Sequence, residues 1–448
     1  MPTVLETPAG WPSILLERVD HRDPATEPAD LDGAVRDGAF AGLTAAVREL
    51  GPSGTIATIA GSGLRGRGGA GYPTGEKWRT AASQDTDRRF VVANGYGADP
   101  SVRTDALLMA GDPYAVVEGT AIAAWAIGAR EAVIAVRADA TDALAALEAA
   151  IAAAEEAGYV GDDVLDTGRE LRITVRPVQG AYMLGEETVL LKALEGKRGQ
   201  PEQRPPHPVV RGLFGAPTVV NNVQTLAAVP WILRNGATAF ADTGTDAAPG
   251  TILVGLRGPG GDGIAEVPLG TPLRDIVALL PGSAPRRGRA GLKALLVGGP
   301  SGALLPPDLL DTAYEFDALR AVGAHLGSGS IVVADERACV VDLARLLTRF
   351  CATEACGKTI PCRIGTRRLV EIADRMAGGL SRPTDPQLLE DLGHDVVASA
   401  LCDHERLATL PLASGMRYFR PELDEHFLHA TCPAGVCHPI AIAGAAAQ

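Results

Sequence analysis

The sequence predicts an α/β protein in three parts: a parallel α/β domain, a small α+β module and a helical C-terminal domain. Three observations support this fold class. Between residues 90 and 176, short apolar runs typical of buried strands alternate with stretches of helical periodicity. From 251 to 329, short strand patterns are separated by glycine turns. From 336 onward the strand pattern fades, and apolar residues recur at helical spacing.

Composition narrows the function classes. The 448 residues include 41 Lys plus Arg, 54 Asp plus Glu and seven cysteines, which gives a formal net charge of −13. Binding nucleic acid along an extended surface needs clustered cations, so the acidic balance argues against that partner. The N-terminus has no signal-peptide pattern, and the most apolar stretch, 121–135, is broken by Arg130 and Glu131. We therefore expect a cytoplasmic chain without a signal peptide or transmembrane helix.

In the α/β part, residues 90–93 and 132–136 have the pattern of buried strands. Residues 112–128 between them are apolar on nearly every side, which indicates an interior helix. Thr141–Glu156 shows helical spacing, and 171–175 alternates apolar with polar residues as a half-buried strand does. Strand, helix and strand in this order predict a parallel sheet.

The rest of the chain follows the same reasoning. Strands are predicted at 251–256 and 293–297, with a helix at 273–280 between them. Further helices are predicted at 340–350, 366–377, 385–400 and after Arg406. We expect an N-terminal extension at 1–54, an α/β domain at 55–245, an α+β module at 246–330, a helical domain at 331–430 and a cysteine-containing tail at 431–448.

The most specific string is glycine-rich. It runs from Gly63 to Trp78, holds six glycines and carries Arg65, Arg67 and Lys77. Glycine amides can approach a phosphate or a flat ring closely, and cations supply the counter-charge. The string lacks the Lys-Ser/Thr of a P-loop and precedes the first clear strand, so it matches neither common nucleotide fingerprint. A flexible linker is the alternative, but the interspersed aromatic residues favour a cofactor loop.

Together with strings further along, this segment resembles the flavin-bearing, NADH-oxidising subunit of respiratory complex I and its relatives in NAD-linked hydrogenases and formate dehydrogenases. The strings are Gly185-Glu-Glu-Thr188, Leu194-Glu-Gly-Lys-Arg-Gly-Gln-Pro201, Pro217-Thr-Val-Val-Asn-Asn-Val-Gln-Thr225 and Cys356-Gly-Lys-Thr-Ile-Pro-Cys-Arg-Ile-Gly-Thr366. The resemblance implies a Rossmann-like FMN-binding domain, a small β-grasp module of the SLBB type and a four-helix iron–sulfur domain.

The resemblance also implies which residues bind FMN and the nicotinamide nucleotide. They are Gly66, Arg67, Gly68, Gly69, Ala70, Gly71, Tyr72, Lys77, Asn94, Gly185, Glu186, Glu187, Asn221, Asn222 and Thr225. Asparagine amides and backbone N–H groups suit the flavin ring and its ribityl chain, and a cation suits the phosphate. Glu186 and Glu187 are expected as the catalytic residues that polarise the site of hydride transfer.

The expected nucleotide site departs from the family pattern. Tyr96 and Gly97 stand where the family usually has two acidic residues, and Thr80 and His207 replace two aromatic ones. Stacking on a base contributes ~1–3 kcal/mol, so losing two such platforms would weaken NADH binding by roughly a hundredfold. NADH and a reduced ferredoxin therefore both stay open as the electron donor.

The cysteines give the expected metal ligands. Cys356, Cys362 and Cys402 match the family's iron–sulfur motif, but Thr359 replaces its middle cysteine. Iron–sulfur clusters prefer four thiolates. The open alternatives are a 4Fe-4S cluster with one non-cysteine ligand, a 3Fe-4S cluster, recruitment of Cys351 as the fourth ligand, or loss of the cluster.

The tail carries a second group, His426, His429, Cys432 and Cys437, whose spacing would allow a zinc site. Cys339 lies between apolar residues and is expected in the core.

The leading hypothesis is an oxidoreductase subunit that takes a hydride from NADH onto FMN and passes electrons singly to the iron–sulfur cluster. The first alternative is an FMN electron-transfer subunit that does not use NADH and exchanges electrons with a ferredoxin or a membrane reductase. A non-catalytic scaffold subunit is the second. The expected partner is a ferredoxin or another iron–sulfur subunit of a larger complex, attached peripherally to a membrane complex in one version of the hypothesis.

Overall fold

The computed structural model describes residues 3–19, 30–282 and 291–437. These residues form two compact units. The first unit holds the described chain up to Gly255, together with Gly263–Thr271 and Ala313–Phe316. The second holds Leu256–Asp262, the described part of 272–312 and the described chain from Asp317 onward. Within the described ranges, no helix is both long enough and apolar enough to cross a membrane.

A four-stranded parallel sheet forms the centre of the first unit. Its strands are β1 (Phe90–Gly95), β2 (Glu131–Arg137), β3 (Arg172–Val178) and β4 (Thr218–Asn222), in the order β3-β2-β1-β4. The register pairs Phe90 of β1 with Glu131 of β2 on one side and with Thr218 of β4 on the other. The middle of β1 is buried on both faces, as expected for a strand covered by helices. The predicted Rossmann-like α/β domain is thereby confirmed.

Helices surround this sheet. In the described part of the first unit they are α1 (Leu31–Arg36), α2 (Ala41–Ala45), α3 (Gly51–Gly61), α4 (Thr74–Ala82), α5 (Thr104–Gly111), α6 (Pro113–Ile127), α7 (Thr141–Glu156), α8 (Glu187–Leu194), α9 (Val223–Asn235) and α10 (Ala237–Ala241). The apolar helix α6 is buried along nearly its whole length, as its sequence predicts. Asp112 caps its start by accepting the N–H of Ala115. A Cβ at Gly119 of α6 would lie 2.0 Å from the carbonyl oxygen of Leu226 in α9, so the close packing of these two helices requires glycine.

The remaining strands and helices follow in chain order. The strands are β5 (Gly244–Thr245), β6 (Ala248–Pro249), β7 (Thr251–Gly258), β8 (Gly261–Pro268), β9 (Leu292–Val297), β10 (Ala303–Leu305) and β11 (Ser330–Asp335). In the second unit, β9 pairs antiparallel with both β10 and β11. The helices are α11 (Leu273–Ala278), α12 (Phe316–Ala321), α13 (Val340–Glu354), α14 (Thr366–Ala377), α15 (Asp385–Ala398), α16 (Asp403–Leu407), α17 (Leu410–Tyr418) and α18 (Arg420–His429).

The C-terminal helices share one apolar core. Val340 of α13, Leu369 and Ile372 of α14, Leu412 of α17 and Leu423 of α18 are each at most 2% exposed. The apolar positions of α14 recur every three or four residues, which places them on the one face that packs inward. The predicted helical C-terminal region is therefore confirmed, and it brings most of the cysteines of the chain into one part of the fold.

Candidate functional site

The candidate flavin site lies at the carboxyl edge of the parallel sheet. The chain passes from β1 to β2 on one side of β1 and returns as β4 on the other. Ligands of open α/β sheets bind in the crevice outside the strand ends at such a switch in strand order. The residues at this point are Asn94 of β1 and Asn222 of β4, which are paired in register. Two of the predicted flavin contacts thus occupy the crevice that the topology alone would select.

The glycine-rich loop is closed on itself between α3 and α4. The N–H of Gly66 donates to the carbonyl oxygen of Tyr72 at 2.9 Å. Gly69 and Gly71 have φ angles of 104° and 64°, which L-residues rarely adopt. Ala70 and the ring of Tyr72 are exposed. The loop therefore keeps a fixed shape that depends on glycine and still presents surface to solvent.

This loop lies against the end of β4 and the start of α9. A Cβ at Gly68 would lie 3.3 Å from the Cβ of Asn222. The N–H of Arg67 donates to the Thr225 hydroxyl at 2.8 Å. Asn222 caps α9 by accepting the N–H of Gln224, so a helix N-terminus, which favours anions, opens at the same place.

The side chain of Arg67 holds the loop from inside. Its guanidinium is buried and donates to the carbonyl oxygens of Arg65, Pro249 and Thr251 at 2.5–3.0 Å. Burial lowers the pKa of Arg67 to about 9, and the neighbouring Arg65 contributes to the lowering. The guanidinium is thus bound to three backbone oxygens. The backbone N–H of Arg67, and not its guanidinium, faces the crevice.

Two residues of α4 tie the loop to β4. Lys77 Nζ donates to the carbonyl oxygen of Val220 at 2.9 Å and lies 3.4 Å from Glu187. The indole N–H of the fully buried Trp78 donates to the side-chain oxygen of Asn221 at 3.0 Å. Asn221 is thus held from behind the sheet edge, while the Lys77 ammonium stays partly accessible beside the crevice.

A buried acid, which the sequence reasoning missed, orients the other asparagine. Asn222 Nδ2 donates to Asp105 Oδ2 at 2.8 Å, and Gln224 Nε2 donates to Asp105 Oδ1 at the same distance. Burial raises the pKa of Asp105, and these two hydrogen bonds oppose the rise. Because both Asp105 oxygens are occupied, the Asn222 amide is fixed with its oxygen toward the α9 N-terminus.

The predicted acidic pair lies on the other side of the crevice. Asn94 Nδ2 donates to the Gly185 carbonyl oxygen at 3.3 Å. Glu186 caps α8 by accepting the N–H of Val189. Arg204, which the sequence reasoning also missed, binds both acids, with Nη2 at 3.2 Å from Glu186 and Nη1 at 2.9 Å from Glu187.

The net charge of this pair depends on that arginine. Burial raises the pKa of Glu186, whereas hydrogen bonds from Thr188 and Val189 and the charge of Arg204 lower it. The guanidinium and the Lys77 ammonium together offset two carboxylates in a half-buried place.

The predicted iron ligands come together in the second unit. Burial raises the pKa of Cys362 to about 12, and the nearby Glu405, Cys402 and Cys356 contribute to the rise. Cys351 is a neighbour as well, since burial and Cys362 raise its pKa to about 12. Its sulfur is fully buried and lies 3.6 Å from the carbonyl oxygen of Pro300.

Thr359 also lies beside Cys362. Its hydroxyl donates to Glu405 at 2.8 Å and lies 3.4 Å from the N–H of Cys362. Three thiols and one hydroxyl–carboxylate pair therefore form a donor set that suits an iron–sulfur cluster with one non-cysteine corner.

The tail group differs from the sequence expectation in one member. Cys339, His426, Cys432 and Cys437 have their ligand atoms within 4.8 Å of one another. His429, which spacing groups with the tail cysteines, is exposed and outside this set. Its place is taken by Cys339, which is buried as expected but lies in this cluster.

Comparison with known families places two patterns on the chain. The family described as "Nuo51 FMN-binding domain" matches residues 59–231. The family described as "NADH-ubiquinone oxidoreductase-F iron-sulfur binding region" matches residues 342–426. The first range contains the crevice residues, and the second contains Cys356, Cys362 and Cys402.

Relatives extend the similarity over most of the chain. The HndC subunit of the NADP-reducing hydrogenase of Solidesulfovibrio fructosivorans is 38% identical over 92% of this chain and 83% of its own length. An NADH-quinone oxidoreductase subunit of Rhizobium meliloti (strain 1021) is 37% identical over 88% of this chain and 94% of its own. Among solved structures, an NAD⁺-reducing [NiFe]-hydrogenase in the H₂-reduced state superposes with a TM-score of 0.79 at 32% identity, covering 93% of this chain and 67% of the other.

Proposed function

The chain belongs to the family of FMN-binding and iron–sulfur subunits found in NADH-quinone oxidoreductases and hydrogenases, and from this premise we propose that it oxidises NADH and delivers the electrons singly to a partner protein. When bound, FMN accepts a hydride and converts it to single-electron transfers. The observation that carries the proposal is the pairing of Asn94 with Asn222 at the switch point of the sheet, directly beside the glycine-rich loop.

We propose that the residues of the crevice bind FMN and orient its ring. Asn94 and Asn222 present amides whose directions are fixed by Gly185 and Asp105. We assign the flavin phosphate to the combined field of the α9 N-terminus and Lys77, because a helix start and a cation both favour an anion. The shape of the glycine-rich loop allows its backbone to approach a flat ring without side-chain obstruction.

The acidic pair and its arginine form the candidate hydride-transfer side. Glu186 and Glu187 accept from Arg204 in a half-buried place, which keeps their direction constant. We assign to these carboxylates the orientation of the nicotinamide, and to Arg204 the task of holding both carboxylates in place. This assignment gives no residue the role of nucleophile.

The electron exit is assigned to Cys356, Cys362 and Cys402. We propose that they hold an iron–sulfur cluster through three thiolates, with the Thr359–Glu405 pair beside the fourth corner. Iron and sulfide analysis tests the ligand set. Cys362→Ser should lose most of its iron, whereas Cys351→Ser should retain it. Equal iron in the wild type and Cys362→Ser would contradict the assignment.

The partner assignment rests on the relatives. These relatives are subunits of a hydrogenase and of a quinone oxidoreductase, so we propose that this chain also acts within a larger complex. As the partner class we propose a ferredoxin or another iron–sulfur subunit, because such proteins accept electrons singly.

A specific observation favours a second candidate, an FMN electron-transfer subunit that does not use NADH. Tyr96 is only 4% exposed, and its hydroxyl donates to the Gly180 carbonyl oxygen at 2.6 Å. Its ring therefore packs inside and does not replace the aromatic surfaces missing at Thr80 and His207.

Anaerobic titration of the flavin-loaded protein with NADH separates the two candidates. We expect the visible flavin band to bleach with about one equivalent of NADH, and more weakly in Glu187→Gln. Glu131→Gln, a change at an exposed acid that pairs with Arg88 at the start of β2, is the matched control and should bleach like the wild type. No bleaching at millimolar NADH, in protein whose FMN is still reduced by dithionite, would overturn the NADH proposal and support the second candidate.

A further inference from the structure

We propose that Cys339, His426, Cys432 and Cys437 bind one structural zinc ion that fastens the end of the described chain to the start of α13. The site is separate from the three-thiol iron set, and it requires neither FMN nor NADH. The proposal can therefore be tested independently of the proposed function.

The distances fit a single ion. A tetrahedral zinc with Zn–S of ~2.3 Å and Zn–N of ~2.0 Å holds its ligand atoms about 3.5–3.8 Å apart. The Cys339 sulfur lies 3.6 Å from the Cys437 sulfur and 3.5 Å from His426 Nε2. All four ligand atoms lie within 4.8 Å of one another. The two sulfurs are too far apart for a disulfide, whose S–S distance is about 2.05 Å.

The donor set favours zinc over an iron–sulfur cluster. Three thiolates and one imidazole are a common structural zinc set. A cubane cluster places four metal ions and four sulfides among its ligands, so its cysteines must stand further apart than these. The group is also mostly enclosed, with Cys339 and His426 each 2% exposed, as is typical of a closed structural site.

The atoms behind the ligands already hold them in position. His426 Nδ1 lies 2.8 Å from the carbonyl oxygen of Glu422, which directs Nε2 toward the sulfurs. The Cys339 sulfur accepts the N–H of Asp342 at the start of α13, and the Cys432 sulfur accepts the N–H of Cys437, both at 3.4 Å. Such outer hydrogen bonds orient metal ligands in known sites.

The chain positions show what the ion would do. Cys339 precedes α13, His426 is in α18, and Cys432 and Cys437 follow α18. Cys339 and Cys437 are 98 positions apart, so one ion would close a loop that contains the whole C-terminal helical region. Removing the metal would therefore release the tail first and then weaken the packing of α18 on α13.

Metal analysis of the full-length protein tests the proposal. We expect about one zinc per chain in the wild type and less than one tenth of that in Cys432→Ser, with iron and FMN unchanged. His429→Ala is the matched control, because His429 is an exposed residue on the same helix as His426, and it should keep its zinc. Zinc in Cys432→Ser equal to that of the wild type would overturn the site.

A second measurement avoids dependence on the folding of the variant. Wild-type protein produced in cobalt-containing medium should show the intense visible bands of tetrahedral Co²⁺ together with thiolate-to-cobalt charge transfer. Weak bands of six-coordinate cobalt, or iron and sulfide lost in parallel with zinc in Cys432→Ser, would overturn the proposal, since the group would then belong to other metal chemistry.

Discussion

Asn222→Asp tests the candidate flavin site by changing charge at nearly constant shape. In the structure, Asn222 Nδ2 donates to Asp105 at 2.8 Å, and its side-chain oxygen accepts the N–H of Gln224 at 2.9 Å. Aspartate caps a helix as well as asparagine does, so the second contact is retained. The first becomes a contact between two carboxylate oxygens.

The magnitude follows from that distance. The lost hydrogen bond to a charged group is worth ~1.5–3 kcal/mol. Two full charges ~2.8 Å apart repel by about 6 kcal/mol at an effective dielectric constant of 20. The pair can instead keep one proton, which costs about 1.4 kcal/mol per pH unit above an ordinary carboxyl pKa and about 6 kcal/mol at pH 8. We therefore expect Asn222→Asp to lower the free energy of unfolding by about 3–6 kcal/mol at pH 8.

The loss must depend on pH with a definite sign. In the folded variant the pair shares a proton, so its pKa lies above that of the same carboxyls in the unfolded chain. Folded protein then binds more protons than unfolded protein, and stability falls as pH rises. At pH 5 the proton costs only about 1.5 kcal/mol, so the variant should recover most of its stability. Urea unfolding at pH 5 and pH 8, followed by circular dichroism, measures both values, and flavin absorbance after gel filtration measures FMN retention.

The same substitution at the other end of α9 is the control. Asn235 is exposed, and its side chain donates to the Trp231 carbonyl oxygen within α9. Asn235→Asp should change the free energy of unfolding by less than about 1 kcal/mol and leave FMN in place. If Asn222→Asp loses equal stability at pH 5 and pH 8, or resembles Asn235→Asp, the contact with Asp105 is not what orients the amide.

Two further changes test buried charges in the first unit. Glu118 is fully buried and accepts the N–H groups of Phe40 and Leu43, and burial raises its pKa to about 7. Folded protein therefore holds a proton on Glu118 that the unfolded chain has already released. The free energy of unfolding should fall as pH rises from the ordinary carboxyl pKa toward 7, by ~3 kcal/mol in all. Glu118→Gln should flatten this decline in urea unfolding between pH 5 and 8, and an unchanged slope would contradict it. Arg204→Met removes the cation between Glu186 and Glu187, so we expect flavin reduction by NADH to slow at least tenfold in stopped-flow measurements, while the exposed control Arg211→Met should match the wild type.

The sequence is most informative where burial is uniform. Strands β1 and β2 and helix α6 are covered on nearly every side, so they appear as continuous apolar runs. Strand β4 escapes sequence-based identification, because it has only five residues and ends in Asn221 and Asn222. Its polar end lies at the crevice. These polar residues interrupt the apolar pattern by which a buried strand is recognised in a sequence.

The missed site residues share one cause. Asp105 lies 117 positions from Asn222, Arg204 lies 18 positions from Glu186, and Cys339 lies 87 positions from His426. A single sequence contains no signal that pairs such residues, because their proximity is created by the crossover of the sheet and the return of α18 to α13. Spacing favours His429 for the same reason: it is near the tail cysteines in sequence but faces outward.

The replacement at Thr359 has to be interpreted together with Glu405. Glu405 is 1% exposed, and its two oxygens accept from the Thr359 hydroxyl at 2.8 Å and from the N–H of Leu401 at 2.9 Å. Thr359→Cys would add a thiolate for the cluster but remove one donor from a buried carboxylate, which costs ~1–3 kcal/mol. The two effects oppose each other, so the single variant alone does not measure the value of a fourth thiolate. Thr359→Cys combined with Glu405→Ala should lose iron to a chelator more slowly than either single variant. The double change supplies the thiolate and leaves no buried carboxylate without the hydrogen bond that Thr359 donates.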